Sequence, residues 1–352
     1  MRITGIQFQA WTSAPQMVEY AREASRRFET IWLTDQFQSR SVSTLLGAIA
    51  ASVECSVATG VTFPFGRNPI ETASTMATLA ELVRPPHKAV LGLGTGGALV
   101  DALVEKKQPI GRVREVVMLA RALWAGETVE LDEYPLSSAA GGFREGAKVA
   151  LSIDTRPAID VIVTGTGPQI MALAGEHGDG VLCASNFPSH SLAAFKSGQF
   201  HAISNLDAVE RGRQKSTRTD FRRIYGINVS VSADRDAARA AARRQAALII
   251  GQQPEPVLMA AGFDLDACRG ARAAFREGAG VAGAAERLPQ AIADALVISG
   301  TPDDCIVGVA ELLRFANDAG FTEAYIGAPV GPRPAEAIQL LTDIVLPELI
   351  NA

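Results

Sequence analysis

Residues 56–82 read SVATGVTFPFGRNPIETASTMATLAEL. Val57 to Thr62 is rich in β-branched residues and carries one glycine, Gly60, so it reads as a strand. Pro64, Gly66 and Pro69 then turn the chain. After the turn, Ile70, Ala73, Met76, Ala77 and Leu79 recur at helical spacing. A strand feeding a helix through a short Pro/Gly loop is half of a βαβ unit. In parallel α/β architecture the loops leaving the carboxyl ends of strands carry the ligands. An isolated glycine near such an end marks a bulge or a close approach to the backbone.

The same alternation extends in both directions. The patterning predicts strands at Ile3–Gln9, Thr30–Thr34, 55–63, 88–94, 158–164, 179–184, Ile224–Val231 and 323–327. Helices are expected from about Pro15 to Arg27, through 42–52, Ile70–Leu82 and Arg112–Ala125, from near Pro168, near 190–200, from Asp234 to about Ile250, and from Ala335 to about Leu349. Eight strands alternating with helices read as a (β/α)8 TIM barrel. Two insertions interrupt it, at about 126–156 and 251–322. The first is irregular, with Pro135, Gly141 and Gly142. The second holds a Gly/Ala-rich middle, GAGVAGAAE (278–286), and the helical patterns AIADALV and CIVGVAELLRFANDAG. No linker divides the chain, which reads as a single barrel domain over 1–352.

Composition narrows the function. The 352 residues are 47% hydrophobic and 20% charged, which suits a folded chain with a large core, and a net charge of −5 argues against a nucleic-acid partner. No apolar run is long enough to span a bilayer, and MRITGIQFQ has no signal-like apolar segment, so neither membrane nor export is expected. Cys55, Cys183, Cys268 and Cys305 are scattered, as in a reduced, cytoplasmic protein. Neither they nor the histidines show ligand spacing, so no metal is expected.

A barrel places its chemistry at the carboxyl ends of strands. At the first, Gln7, Gln9 and Trp11 follow at spacing two and share a face. The second ends in Thr34, Asp35, Gln36 and Phe37, so Asp35 is either a turn cap or a site carboxylate. The fourth delivers LGLGTGG (91–97), where glycine lets backbone amides approach a ring or phosphate. The fifth runs into Val163–Thr164–Gly165–Thr166–Gly167–Pro168, with proline in the first helical turn. The amides of Gly165, Thr166 and Gly167 and the helix dipole suit an anion such as a phosphate. Cys183, with Ala184, Ser185 and Asn186 after it, has no matched base and reads as a buried thiol. Residues 196–223 are locally basic, through Lys196, Arg211, Arg213, Lys215, Arg218, Arg222 and Arg223, and form either a solvated face or a patch for an acidic tail.

Six segments in order carry a resemblance: IWLTDQF (31–37), GVTFPFGRNP with its helix, AVLGLGTGGA (89–98), ALWAGETVELDEY (122–134), VTGTGPQIMALAGEHGDGVL (163–182) and GTPDD (300–304). Together they resemble the luciferase-like superfamily, and within it the coenzyme F420-dependent branch that includes methylenetetrahydromethanopterin reductases and F420-dependent glucose-6-phosphate dehydrogenases. The resemblance implies a barrel with insertion helices over its mouth and a cis peptide at Gly60–Val61 against the cofactor's central ring. It implies cofactor contacts at Asp35, Gly60, Val61, Thr62, Thr95 and Gly96, with Gly165, Thr166, Gly167 and Pro168 on the phosphodiester side chain. Candidate catalytic positions are Gln7, Asp35 and Gln36.

The sequence also departs from the pattern. Gln7 stands where the reductases have a glutamate, and Thr95 where they have an aspartate. Gln36 replaces a catalytic histidine of the glucose-6-phosphate enzymes, and Gly97 replaces their acidic partner. With these acid/base groups absent, the expected reaction is hydride transfer between C5 of the deazaflavin and a small organic substrate, such as an activated alkene, imine or nitroaromatic. An FMN-dependent monooxygenase of the same fold and a cofactor-binding protein without turnover are the alternatives. The family commonly pairs through helices after strands two and three, and Ala48, Ala50, Ala51 and Ser52 would permit such a homodimer.

Overall fold

The computed structural model describes residues 1–101, 103–153, 159–183, 201–253, 255–260 and 262–351. Eight strands form the barrel: β1 Arg2–Gln9, β2 Thr30–Thr34, β3 Ser56–Thr59, β4 Ala89–Leu93, β5 Ile159–Thr164, β6 Gly180–Cys183, β7 Arg222–Val231 and β8 Glu323–Val330. Each pairs in parallel with its neighbours along the chain, and β8 returns to β1 to close the ring. The fold is a (β/α)8 barrel. Around it lie α1 Ala14–Ala24, α2 Val42–Ser52, α3 Pro69–Leu82, α4 Pro109–Trp124, α5 Pro168–His177, α6 His201–Arg213, α7 Arg235–Gln252, α8 Pro302–Asp318 and α9 Pro334–Leu340. None of the described helices is long and apolar enough to cross a membrane.

The two faces of each strand serve two cores. Outward residues such as Leu33, Val57, Leu91 and Val163 pack against Leu46, Ile49, Met76 and Val116 from the helices. Inward residues Trp32, Ala58, Val90, Ile162, Leu182, Ile224 and Tyr325 fill the lumen, so seven strands each give one side chain. β1 gives a glycine instead. A Cβ on Gly5 would stand 2.7 Å from Trp32 Nε1, so the missing side chain makes room for the indole. Trp32 stacks on Tyr325 with ring centroids 6.1 Å apart.

Helix starts follow local chemistry. Asn68 accepts hydrogen bonds from the Ile70 and Glu71 amides at the start of α3, at 2.9 and 3.2 Å. At α8, Thr301 and Asp304 form a reciprocal capping box. α4 begins at Pro109, three residues before the expected Arg112, because proline is accommodated at the first helical position.

Other boundaries moved for identifiable reasons. β3 stops at Thr59, before a cis Gly60–Val61 peptide, and Thr62 rejoins the sheet only as a single bridge to Leu93. β8 continues to Val330, beyond the expected end at 327, with a register shift between Gly327 and Val330. The stretch 126–156 holds the short antiparallel pair Val129–Glu130 and Lys148–Val149 and a helix at Pro135–Gly141. Within 251–322, helices Glu255–Ala260, Leu265–Arg276, Gly280–Glu286 and Gln290–Leu296 build a second core against α7. α8 instead buries Cys305, Val309, Leu312 and Ala316 in the main core, and a short strand, Ile298–Gly300, adds to the end of β7. The helix expected near 190–200 lies outside the described residues.

Candidate active site

The centre of the site is the break in β3. Ordinary pairing between β3 and β4 ends at Ala58 and Val90. Thr59 then substitutes its side chain for the ladder: its Oγ1 donates to the Gly92 carbonyl at 2.8 Å and accepts from the Gly92 amide at 2.9 Å. Beyond the cis Gly60–Val61 peptide, the Thr62 amide donates to the same Gly92 carbonyl at 2.9 Å, and the Gly94 amide donates to the Thr62 carbonyl at 3.0 Å. On the other side the Gly60 amide donates to the Leu33 carbonyl at 2.7 Å. Gln7 Nε2 donates to the Gly60 carbonyl at 2.6 Å. The bulge is therefore held from β1, β2 and β4 together.

β4 accommodates the bulge by omitting side chains. A Cβ on Gly92 would lie 2.0 Å from the Thr59 carbonyl and 3.1 Å from Val61 Cγ1, and one on Gly94 would meet Thr164 and Val61. The two glycines of the 91–97 run thus receive the displaced strand. Gly96, at φ 75°, turns the loop, and Lys106 Nζ donates to its carbonyl at 2.7 Å while pairing with Asp101.

Asp35 directly follows β2 and is 9% exposed. One carboxylate oxygen accepts from Thr62 Oγ1 at 2.6 Å, the other from Arg67 Nη2 at 2.7 Å. The Arg67 guanidinium in turn sits over the rings of Phe37 and Phe63, 5.1 and 5.4 Å from their centroids. Both oxygens of Asp35 thus have partners, which fix the orientation of the carboxylate.

A cavity of about 240 Å³ opens over this floor. Its walls bring together six of the expected site residues, Gln7, Asp35, Gln36, Gly60, Val61 and Gly96. Thr62 lies behind Asp35 and faces a separate groove of about 320 Å³ between α2 and α3. Thr95 and the Gly165–Thr166–Gly167–Pro168 turn do not line the cavity. That turn does open α5, with Gly167 at the N-cap and Pro168 in the first turn, and Gly165 packed where a Cβ would strike Ile170. Ala184, Ser185, Asn186 and Lys196 lie outside the described residues.

The cavity also contains residues the sequence reading gave no part in the site: Thr164, Leu182, Gln252 and Tyr325. Gln252 comes from the end of α7 and stands beside Gly97, where a Cβ would be 3.0 Å from its Oε1. Inward alternation along β8 was the available signal for Tyr325. Burial pushes the Tyr325 phenol above its ordinary range, so it stays protonated. Cys183 is fully buried, and burial pushes its thiol up to about 12, so it presents no thiolate. Much of the basic run is compensated far from the mouth: Arg222 pairs with Glu323 and Asp160, Arg223 with Glu210, and Arg218 with Asp179.

A bulged third strand, a glycine-lined fourth and a cavity at the carboxyl ends of parallel strands define a (β/α)8 barrel with its candidate site at the mouth. The family model for luciferase-like monooxygenases matches residues 3–323, and the chain belongs to that family. It is 32% identical over 331 residues to a 5,10-methylenetetrahydromethanopterin reductase of Archaeoglobus fulgidus, with 92% of each chain covered. It is also 32% identical over 235 residues to an F420-dependent glucose-6-phosphate dehydrogenase of Intrasporangium calvum, covering 60% of this chain and 64% of that one. Among solved structures, the coenzyme F420-dependent tetrahydromethanopterin reductase of Methanopyrus kandleri superposes with a TM-score of 0.80 at 21% identity, covering 99% of this chain and 100% of that one.

Proposed function

We propose that this protein is an F420-dependent oxidoreductase that moves a hydride between deazaflavin C5 and a small organic substrate. The observation that carries the reading is the interrupted third strand at Gly60–Val61, which lines the floor of the mouth cavity, is pinned by Gln7 and is received by Gly92 and Gly94. The full-length similarity to an F420-linked reductase supports it. A flat ring fits against the backbone at Gly60, and Gly96 and Gly97 bring backbone to the adjoining wall beside Val100 and Gln252. Gly60, Val61, Asp35 and Gly96 would hold the ring system in the cavity, with Thr62 supporting it through Asp35; Thr95 and the turn from Gly165 through Thr166 and Gly167 to Pro168, outside the cavity wall, would meet the rest of the cofactor, the turn taking its phosphodiester. When bound, the cofactor supplies a carbon centre that takes or gives hydride.

The chain's own residues then orient and desolvate. Gln7 fixes the floor by its bond to Gly60. Asp35 ties β2 to the strand beyond the bulge. Gln36 accepts a hydrogen bond from Trp11 Nε1 at 3.2 Å and links two rim loops. Asp35 is the sole carboxylate on the described cavity wall, and its oxygens are engaged, so the substrates that fit need no strong protein acid. Activated alkenes, imines and nitroaromatics meet that condition.

The family description gives a second reading weight: FMN-dependent monooxygenation on the same scaffold. Anaerobic assay separates the two. Reduced F420 mixed with a panel of activated alkenes and nitroaromatics should regain its oxidised deazaflavin absorbance without oxygen. Turnover that demands FMN and oxygen would overturn the reading, and cofactor binding with no turnover across the panel would leave a binding protein. The protein is further proposed to work in the cytoplasm, on the ground of four free cysteines. A homodimer across α2 and α3 is proposed from the small side chains at Ala48 and Ala51 and the exposed Leu82.

A further inference from the structure

A second chamber, of about 670 Å³, adjoins the mouth cavity, within the size range of small-molecule sites. It lies between β1, the end of β8, α1, α7 and the insertion helix Gly280–Glu286. Its walls are mainly apolar, with Phe8, Tyr20, Leu248, Val281, Ala328 and Pro329 among them. Two residues join it to the cavity over the bulge. Gln7 lines both spaces, and Trp11, on the chamber side, bonds Gln36 on the cavity side. Gln9 donates to Gln245 Oε1 at 3.2 Å across the chamber, which gives it a polar strip. Its wall includes Val330 at φ 70°, a left-handed conformation that β-branched residues rarely adopt and that recurs at functional sites.

Among the described residues, one cation lines this chamber. Arg244, from α7, is exposed and has no carboxylate within ion-pair distance among the described residues, whereas Arg239 on the same helix is paired with Asp294. A guanidinium without a partner at the edge of an apolar chamber is complementary to an anion attached to a hydrophobic body.

We infer that this chamber seats the body of an amphipathic organic acid, with the substrate's carboxylate on Arg244 and its reducible end reaching past Gln7 to the bulge. This inference rests on the reading of the mouth cavity as the hydride-transfer site. It makes Arg244 a specificity residue that distinguishes acids from neutral analogues.

Calorimetric titration of the full chain with 2-naphthoate and with its neutral amide, 2-naphthamide, tests it. Wild type should bind both probes, the acid more tightly. Arg244→Gln should weaken the acid by about tenfold or more and leave the amide unchanged. Ala241→Phe, which fills the chamber from α7, should weaken both. F420 titrated into each variant should bind as in wild type. Equal binding of acid and amide in wild type, no effect of Arg244→Gln, or parallel loss of both probes in that variant would overturn the inference. If F420 fails to bind wild type while the acid still depends on Arg244, the cofactor reading fails and the acid site stands. If F420 binds and the acid does not, the acid site alone fails.

Discussion

Asp35 and Gly92 carry the most specific demands in the site. Asp35→Ala would leave the buried Thr62 hydroxyl and the Arg67 guanidinium without their acceptor. We expect it to lower unfolding free energy by about 2–3 kcal/mol, read from the denaturant midpoint, because an orphaned buried donor costs more than the bond itself. A midpoint unchanged from wild type would show that the carboxylate does not tie β2 to the strand beyond the bulge. Gly92→Ala would place a methyl 2.0 Å from the Thr59 carbonyl, a backbone atom that cannot turn aside. A loss of about 3 kcal/mol is expected, with weakened cofactor binding in whatever folds. Unaltered stability and F420 affinity would mean the bulge is not seated on β4 as described. Sequence made Gly60 and Asp35 legible because a lone glycine in a β-branched strand and a carboxylate at a strand end are local signals. It could not reveal that Arg67 and Thr62 occupy both oxygens of Asp35, since those contacts depend on how far the chain turns after the bulge.

Among the elements, β8 connects the two ends of the barrel. At its start, Glu323 accepts two hydrogen bonds from Arg222 on β7, at 2.6 and 3.0 Å, and one from Thr4 on β1 at 2.5 Å. Burial pushes the Glu323 carboxyl up, but the bonds and charge of Arg222 outweigh it and hold the group below its ordinary 4.5. The unfolded chain therefore binds this proton first, so the contribution is complete above pH 4.5 and is lost as pH falls below it. Glu323→Gln should be less stable than wild type at neutral pH, with the difference shrinking on acidification in chemical denaturation. A difference independent of pH would rule out the ion pair as its source. Removing the capping carboxylate with Asp304→Ala should cost about 1 kcal/mol by the same assay, and no change in midpoint would show the α8 cap to be dispensable. Elements were the most legible level, because alternating and helical periods are written into the strands and helices themselves. β2 and α2 fall where the pattern puts them. β3 and β8 differ where a cis peptide and a register shift override it, and neither is announced by periodicity.

For the whole molecule, the ring of alternating strands and helices means that every barrel strand delivers its last residues to one mouth. Half of the expected site residues line one cavity, and the wall opposite comes from α7 and β8, far along the chain. That wall was hidden from sequence because Gln252 and Tyr325 acquire their place only when the barrel closes. The departures at Gln7, Gln36 and Gly97 remain expectations drawn from the resemblance, and the geometry adds that Gln7 donates to the Gly60 carbonyl on the cavity floor. The claim on which this depends is the identity of the ring on that floor. The decisive measurement is a competitive equilibrium titration of the purified chain with oxidised F420 and FMN, followed through the deazaflavin and flavin absorbance bands. We expect F420 to bind more tightly and to lose affinity in Gly92→Ala. Preferential binding of FMN, or binding of neither, would contradict it.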